Sequence, residues 1–219
     1  MHVNSNVNDP RSFKDNLEVV IDEDVRSEED VRKLGILPGD FIAVCPRYTV
    51  TPSGYIKSRF LDDKASAAVL LAYAKHLRDE NAAPSRSVDL FFTVYEEIGH
   101  GAACGIPDGA VEVLAVDMGC VGENVTCTER QVSICAKDSS GPYNYDVTSA
   151  LIEAARKAGV DYAVDVYNHY GSDASVALRA GYDVRHGLIG PGVYASHGYE
   201  RSHIDGLMNT FNLIKAYLA

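Results

Sequence analysis

Two adjacent acidic pairs, Asp62-Asp63 and Glu96-Glu97, stand at the edges of strongly apolar runs. The first comes just before Ala65–Ala74 and the second just after the stretch that begins at Val88. Like charges set side by side next to a core repel each other and resist desolvation. A cation between them removes both penalties, and carboxylates joined by one or two imidazoles suit Zn²⁺, Co²⁺ or Mn²⁺. Asp117 ends the apolar run VLAV, where a bare acid is costly, and His197 lies in the loop GPGVYASHGYE. Two ions about 3.5–4 Å apart need a bridging carboxylate, terminal ligands on each, and a free carboxylate to activate the shared water. Asp62 suits the bridge, Glu97 and Asp117 suit the terminal positions, and Glu96 is left as the base. Such a base takes the water's proton and returns it to a leaving amine.

Each piece also has a plainer meaning. Asp62-Asp63 alone would cap the helix that follows, with Asp63 capping or orienting a ligand while Asp62 binds. Glu96-Glu97 alone would be a solvated strand end. His100, His169 and His186 read as structural imidazoles. YGSDAS sets Ser172 beside Asp173, but it is not the G-x-S-x-G of a nucleophile elbow. There Gly171 permits close backbone approach, and Ser172 or Asp173 caps the next helix. GHGAACG lacks the lysine of a phosphate loop. Joint occurrence of the acids and the imidazole at strand ends is what favours a metal site.

The elements that must position these groups follow from apolar periodicity. Leu17–Asp22 alternates as a strand, Ser27 opens a short helix, Phe41–Cys45 is a strand, and Thr51–Ile56 is a turn and strand. From Phe60 onward helix and strand alternate. Helices are expected from Asp63 to about His76 and over Tyr145–Ala158, Asp173–Ala180 and Ile204–Leu218. Strands are expected over Val88–Val94, Val113–Val116, Gln131–Ala136, Tyr162–Val166 and Val184–Ile189. This order predicts an α/β fold, a mostly parallel sheet with helices on both faces. Residues 1–58 form a small β-rich segment and 59–219 the α/β domain. Ligands in such sheets collect at the carboxyl ends of the strands, where Glu96, Glu97, Asp117 and His197 lie.

Bulk composition excludes several classes. With 46% hydrophobic and 23% charged residues among 219, the chain is globular rather than disordered. A net charge of −11 disfavours nucleic acid and anionic membranes as partners. The apolar stretch Ala67–Ala74 is too short to span a bilayer, and no signal peptide is visible, so a cytoplasmic location is expected. Cys45, Cys104, Cys120, Cys127 and Cys135 form no CxxC and read as reduced, buried small residues.

LDDKASAAVLLA, FFTVYEEIGHGA, VLAVDMG, YGSDAS and the HGYE loop resemble the dinuclear aminopeptidases of the glutamyl aminopeptidase type. That family includes the tetrahedral aminopeptidases and proteins mislabelled endoglucanases. The resemblance runs over essentially the whole chain. It implies Asp62 as bridging ligand, Glu96 as catalytic base, Glu97 as ligand of one ion with His197 as its partner, and Asp117 as ligand of the other. His203 is a fallback for His197, because HGYE is one residue shorter than the family's spacing from His to Glu. Gly171, Ser172 and Asp173 match a segment that lies near the family's site, which implies a substrate-positioning role for them. Two divalent ions, Zn or Co, are implied for a complete site, with peptides as substrates and a homo-oligomer in the full-length form. The family's remaining imidazole lies in an H-x-D motif upstream of its inserted β-domain, and His2 lacks the matching Asp. The chain is therefore expected to be an N-terminally truncated relative holding one ion or none, with residues 1–58 a remnant of that domain. Three expectations compete: a metallo-aminopeptidase, a catalytically impaired metal-binding or assembly protein, and a serine hydrolase acting through Ser172.

Overall fold

Alternation along the strands decides which side chains face which helix layer. The computed structural model describes Ser12 and residues 17–219. The loop expected over residues 1–16 lies outside them, Ser12 excepted. The chain divides into two units, one ending at Val44 and one spanning Cys45–Ala219, so the boundary expected after residue 58 falls earlier. In the first unit, helix α1 (Glu28–Lys33) begins at Ser27, whose hydroxyl accepts the Asp30 N–H. The strands expected at Leu17–Asp22 and Phe41–Cys45 are not formed. Val20 is 77% exposed and Phe41 fully so, and an alternating pattern makes a strand only where a layer stands to bury it.

The second unit holds a sheet of β1 (Thr49–Val50), β2 (Tyr55–Ser58), β3 (Glu112–Val116), β4 (Gly119–Val121), β5 (Val132–Asp138), β6 (Gly141–Pro142), β7 (Tyr162–Val166), β8 (Arg185–Tyr194) and β9 (Glu200–His203). Their order is β1-β2-β9-β8-β5-β6, with β3 and β4 on β8 and β7 on β5. The ten-residue β8 is the spine: β3 and β4 join it in parallel, β5 and β9 antiparallel. The α/β class holds, but the sheet is mixed rather than mostly parallel, because β1, β2 and β9 return on one another as antiparallel neighbours.

Helices α2 (Leu61–Asp79), α3 (Tyr145–Ala158) and α5 (Ile204–Tyr217) lie together over one face of the sheet. Val69, Leu151 and Leu213 from them pack with Val132, Ile134 and Ile189. The intervening residues Cys135 and Leu188 pack instead with Ala174 of α4 (Asp173–Arg179), on the other face. Asn144 caps α3 by accepting two backbone N–H groups, and Gly159 ends it at φ 65°. Among the described residues no helix is long and apolar enough to cross a membrane.

Two expectations need correction here. Val88–Val94 is not assigned to the sheet, and Phe91, Phe92 and Val94 are 44%, 46% and 86% exposed. Its continuous apolar composition signals burial that no described strand supplies. All five cysteines are free, but Cys45 and Cys104 are exposed. Burial pushes the Cys127 and Cys135 thiols up to about 12, which leaves them unreactive.

The site's geometry leans on one close approach. A Cβ on Gly190 of β8 would lie 1.8 Å from the backbone oxygen of Asp117, while the Asp117 N–H bonds Ile189 O at 2.9 Å. Gly190→Ala is therefore expected to cost about 2–3 kcal/mol by overpacking, roughly 5–10 °C in Tm for a chain of this size. Scanning calorimetry checks this, and an unchanged Tm would contradict the packing described.

Candidate active site

Three separate segments bring the acidic groups together, and a fourth adds an imidazole. Asp62 and Asp63 open α2 with non-helical backbone, joined by a cis peptide. Glu96 and Glu97 form a short 3-10 turn after the irregular stretch 88–93. Asp117 follows the end of β3. His197 lies in the turn between β8 and β9 at φ 65°, a left-handed conformation unusual for a residue with a Cβ.

His197 Nε2 stands 3.4 Å from Asp62 Oδ2 and 3.3 Å from Glu97 Oε2. One donor atom each from Asp62, Glu97 and His197 fall within 4.8 Å of one another, and so do one each from Asp62, Asp63 and Asp117. Asp62 belongs to both groups. Ser196 Oγ donates to Asp62 Oδ2 at 2.6 Å, and the Met118 N–H donates to Asp117 Oδ1 at 2.7 Å. Asp62, Glu97, Asp117 and His197 open on a cleft of about 610 Å³ that Glu96 and Gly171 also line.

The model for the M42 glutamyl aminopeptidase family matches residues 1–213. This chain belongs to that family. It is 43% identical over 218 residues to YhfE of Bacillus subtilis strain 168, whose name marks it as a candidate aminopeptidase. That match covers all of this chain but 63% of YhfE. Among solved structures, the TET1 peptidase of Pyrococcus horikoshii, which can assemble into a tetrahedron or a large octahedral shell, superposes with a TM-score of 0.73 at 22% identity. It covers 97% of this chain and 66% of that one. The aminopeptidase APDkam598 of the archaeon Desulfurococcus kamchatkensis gives 0.73 at 22% identity, with 89% and 57% covered. Those likenesses show the shared fold. This chain thus spans about three-fifths of the length of the relatives it matches.

The donor set fits the divalent ions of the M42 family by its own chemistry. Asp63 Oδ1 is buried without a hydrogen-bond partner, a costly state for an acceptor that a cation relieves. Burial, and then the neighbouring Asp62, hold the Asp117 carboxyl well above its usual range; burial and Asp117 do the same for Asp63. Glu96 is raised to about 7 by burial first, then by Asp173, Glu97 and Asp62. The mixed carboxylate and imidazole group of Asp62, Glu97 and His197 suits Zn²⁺ or Co²⁺, while the all-oxygen group suits a harder ion.

These raised values set a sign for stability. A carboxyl whose folded pKa lies above its unfolded value stabilises the fold at low pH, and that contribution is lost as pH rises through the folded value. For Glu96 the window runs from 4.5 to about 7. At about 1.4 kcal/mol per unit, discounted because the group is only half-buried, it accounts for about 1–2 kcal/mol. Metal-free protein is expected to lose Tm between about pH 5 and pH 8, with Zn²⁺ or Co²⁺ reversing the loss. A chelator-treated sample whose Tm climbs over that range would contradict it.

Other expected site residues behave differently. Ser172 is 1% exposed, and its hydroxyl pairs with Tyr143 OH at 2.7 Å rather than capping α4. Asp173 does not cap α4 either: it accepts from Thr93 Oγ1 at 2.6 Å and Ala102 N–H at 2.9 Å. It thereby ties α4 to the segment carrying Glu96 and Glu97. His203 is buried, with Nε2 2.7 Å from Ser53 O and Nδ1 accepting the Asp205 N–H at 3.0 Å. It caps α5, so His197 is the imidazole that faces the acids. The sequence marks Glu200 as the last residue of HGYE without giving it a role; its buried carboxylate accepts the backbone N–H groups of Asp62 and His197, each at 3.0 Å. It stands at the head of a strand otherwise buried at Ser202 and His203.

Proposed function

We propose that this chain carries the catalytic groups of a metal-dependent aminopeptidase that removes N-terminal residues from peptides. The observation that carries the proposal is the pair of donor groups sharing Asp62 beside the titratable carboxyl of Glu96. Asp62, Glu97 and His197 would hold one divalent ion, and Asp62, Asp63 and Asp117 a second. Bound there, such ions supply Lewis acidity toward a peptide carbonyl and acidify a water. Glu96 lies in neither group, which leaves its carboxylate free to move protons. Burial raises that carboxyl above the usual carboxylate range, which suits a group that accepts a proton from water and returns it to the departing amine. The surplus of carboxylates in the cleft favours a substrate bearing a free N-terminal ammonium. Among the described residues the Ser172 hydroxyl is hydrogen-bonded to Tyr143 rather than to an imidazole or amine, which weighs against serine hydrolysis.

The test is hydrolysis of aminoacyl-p-nitroanilides by metal-stripped protein to which Co²⁺ or Zn²⁺ is returned. Turnover should appear with the ion and vanish with a chelator. Turnover that survives chelation would contradict the proposal, and a metal-loaded protein without turnover would favour an inert metal-binding role. Self-association is proposed as well, by analogy with the shells of the Pyrococcus relative; sedimentation velocity reads it, and a monomer at all concentrations would contradict it.

A further inference from the structure

Glu200 is 1% exposed and is not among the residues lining the cleft. Its Oε2 accepts the backbone N–H groups of Leu61 and Asp62, the latter at 3.0 Å, and its Oε1 accepts the His197 N–H at 3.0 Å. One carboxylate therefore grips both loops whose side chains meet at 3.4 Å, Asp62 from one and His197 from the other. Glu200 is itself anchored, because it opens β9 and pairs with Ser58 at the end of β2. The gripped segments are both left-handed at residues with a Cβ, Phe60 at φ 65° and His197 at φ 65°. Such conformations persist only where the surroundings over-determine them.

We propose that Glu200 is a positioning residue of the metal centre, a buried clamp that sets the separation of Asp62 and His197. This inference rests on the reading of Asp62 and His197 as ligands. Three N–H donors on one carboxylate form charge-assisted hydrogen bonds. A glutamine at the same place offers one acceptor oxygen and turns an NH₂ toward a backbone N–H, so one loop is released. A bond network behind the ligands tunes how well they hold an ion.

The experiment titrates metal-stripped wild type, Glu200→Gln and Ser202→Ala with Co²⁺ alone, reading affinity by calorimetry and coordination by visible absorption. Ser202 lies on the same strand, fully buried, with its hydroxyl on Gly192 O at 2.7 Å, so it controls for damage to β9. Glu200→Gln is expected to bind Co²⁺ about 10–100-fold more weakly with an altered spectrum. Ser202→Ala should lose thermal stability while keeping wild-type affinity. Unchanged affinity and spectrum in Glu200→Gln would overturn the proposal, as would an equal loss of affinity in Ser202→Ala. If Glu200→Gln fails to fold, Glu200→Asp decides: it keeps the charge but is too short to reach both loops, so weaker binding supports the clamp and wild-type binding overturns it. A wild type that binds Co²⁺ without cleaving peptides would sink the aminopeptidase reading and leave the clamp standing. An active wild type with an unaffected Glu200→Gln would do the reverse.

Discussion

Glu96→Gln is expected to lower kcat about 10³-fold, the middle of the range for a lost general base, while Co²⁺ or Zn²⁺ binding stays at the wild-type level. The substitution keeps the shape of the side chain and removes its ability to take a proton. Glu96 stands outside both donor groups, so no ligand is lost. Its charge is one of those that hold the Asp117 and Asp63 carboxyls high. Removing it should if anything ease ionisation of the groups that bind metal. The pH profile carries a second signature, since the limb controlled by the Glu96 carboxyl should disappear with it. Glu97→Gln makes the contrast, because Glu97 lies against His197 at 3.3 Å, and there metal affinity should fall along with rate. Steady-state kinetics with a parallel metal titration separates the two. Wild-type turnover in Glu96→Gln, or a matching loss of bound metal, would remove Glu96 from the role of base.

The second large effect falls on Asp62. Asp62→Asn is expected to weaken both ions by more than the roughly 100-fold typical of an outer-sphere change, since Asp62 is common to both groups. Asp117→Asn should weaken one ion only. The same change should raise the Tm of the metal-free protein. The Asp62 charge is among the causes that push up Asp63, Glu96, Glu97 and Asp117, and deleting it relieves that repulsion. A site that destabilises the empty fold and strengthens metal binding is the trade expected of functional residues. Calorimetric titration and thermal melts of the chelated proteins read both halves. Loss of only one ion in Asp62→Asn, or a lower Tm without metal, would contradict the shared-ligand geometry.

The elements most legible in the sequence are those whose signals are local. Tyr145–Ala158 carries its own cap, Asn144, and its own stop, Gly159, so its bounds are readable from adjacent residues. Tyr162–Val166 alternates and forms a strand, but the face it buries is that of Ala163 and Asp165, with Val164 and Val166 38% and 48% exposed. The reason is that the Asp165 carboxylate is taken up by the backbone N–H groups of Thr126 and Cys127. Val88–Val94 misleads because apolar composition reports what a segment would bury, while strand formation needs partners that composition does not name. The acids Asp62, Glu97 and Asp117 are legible because charge beside apolar runs is locally anomalous. Glu200 is not, because its meaning arises only when the fold brings it to Leu61 and Asp62, 139 and 138 residues away. His203 and His197 are alike in sequence, and only the turn after β8 decides which of them meets the carboxylates.

The most direct measurement is anomalous diffraction at the metal edge from crystals soaked in Zn²⁺ or Co²⁺. Two peaks are expected on either side of Asp62, one among Asp62, Glu97 and His197 and one among Asp62, Asp63 and Asp117. An ion bound elsewhere, or no peak in contact with Asp62, would contradict the shared metal centre.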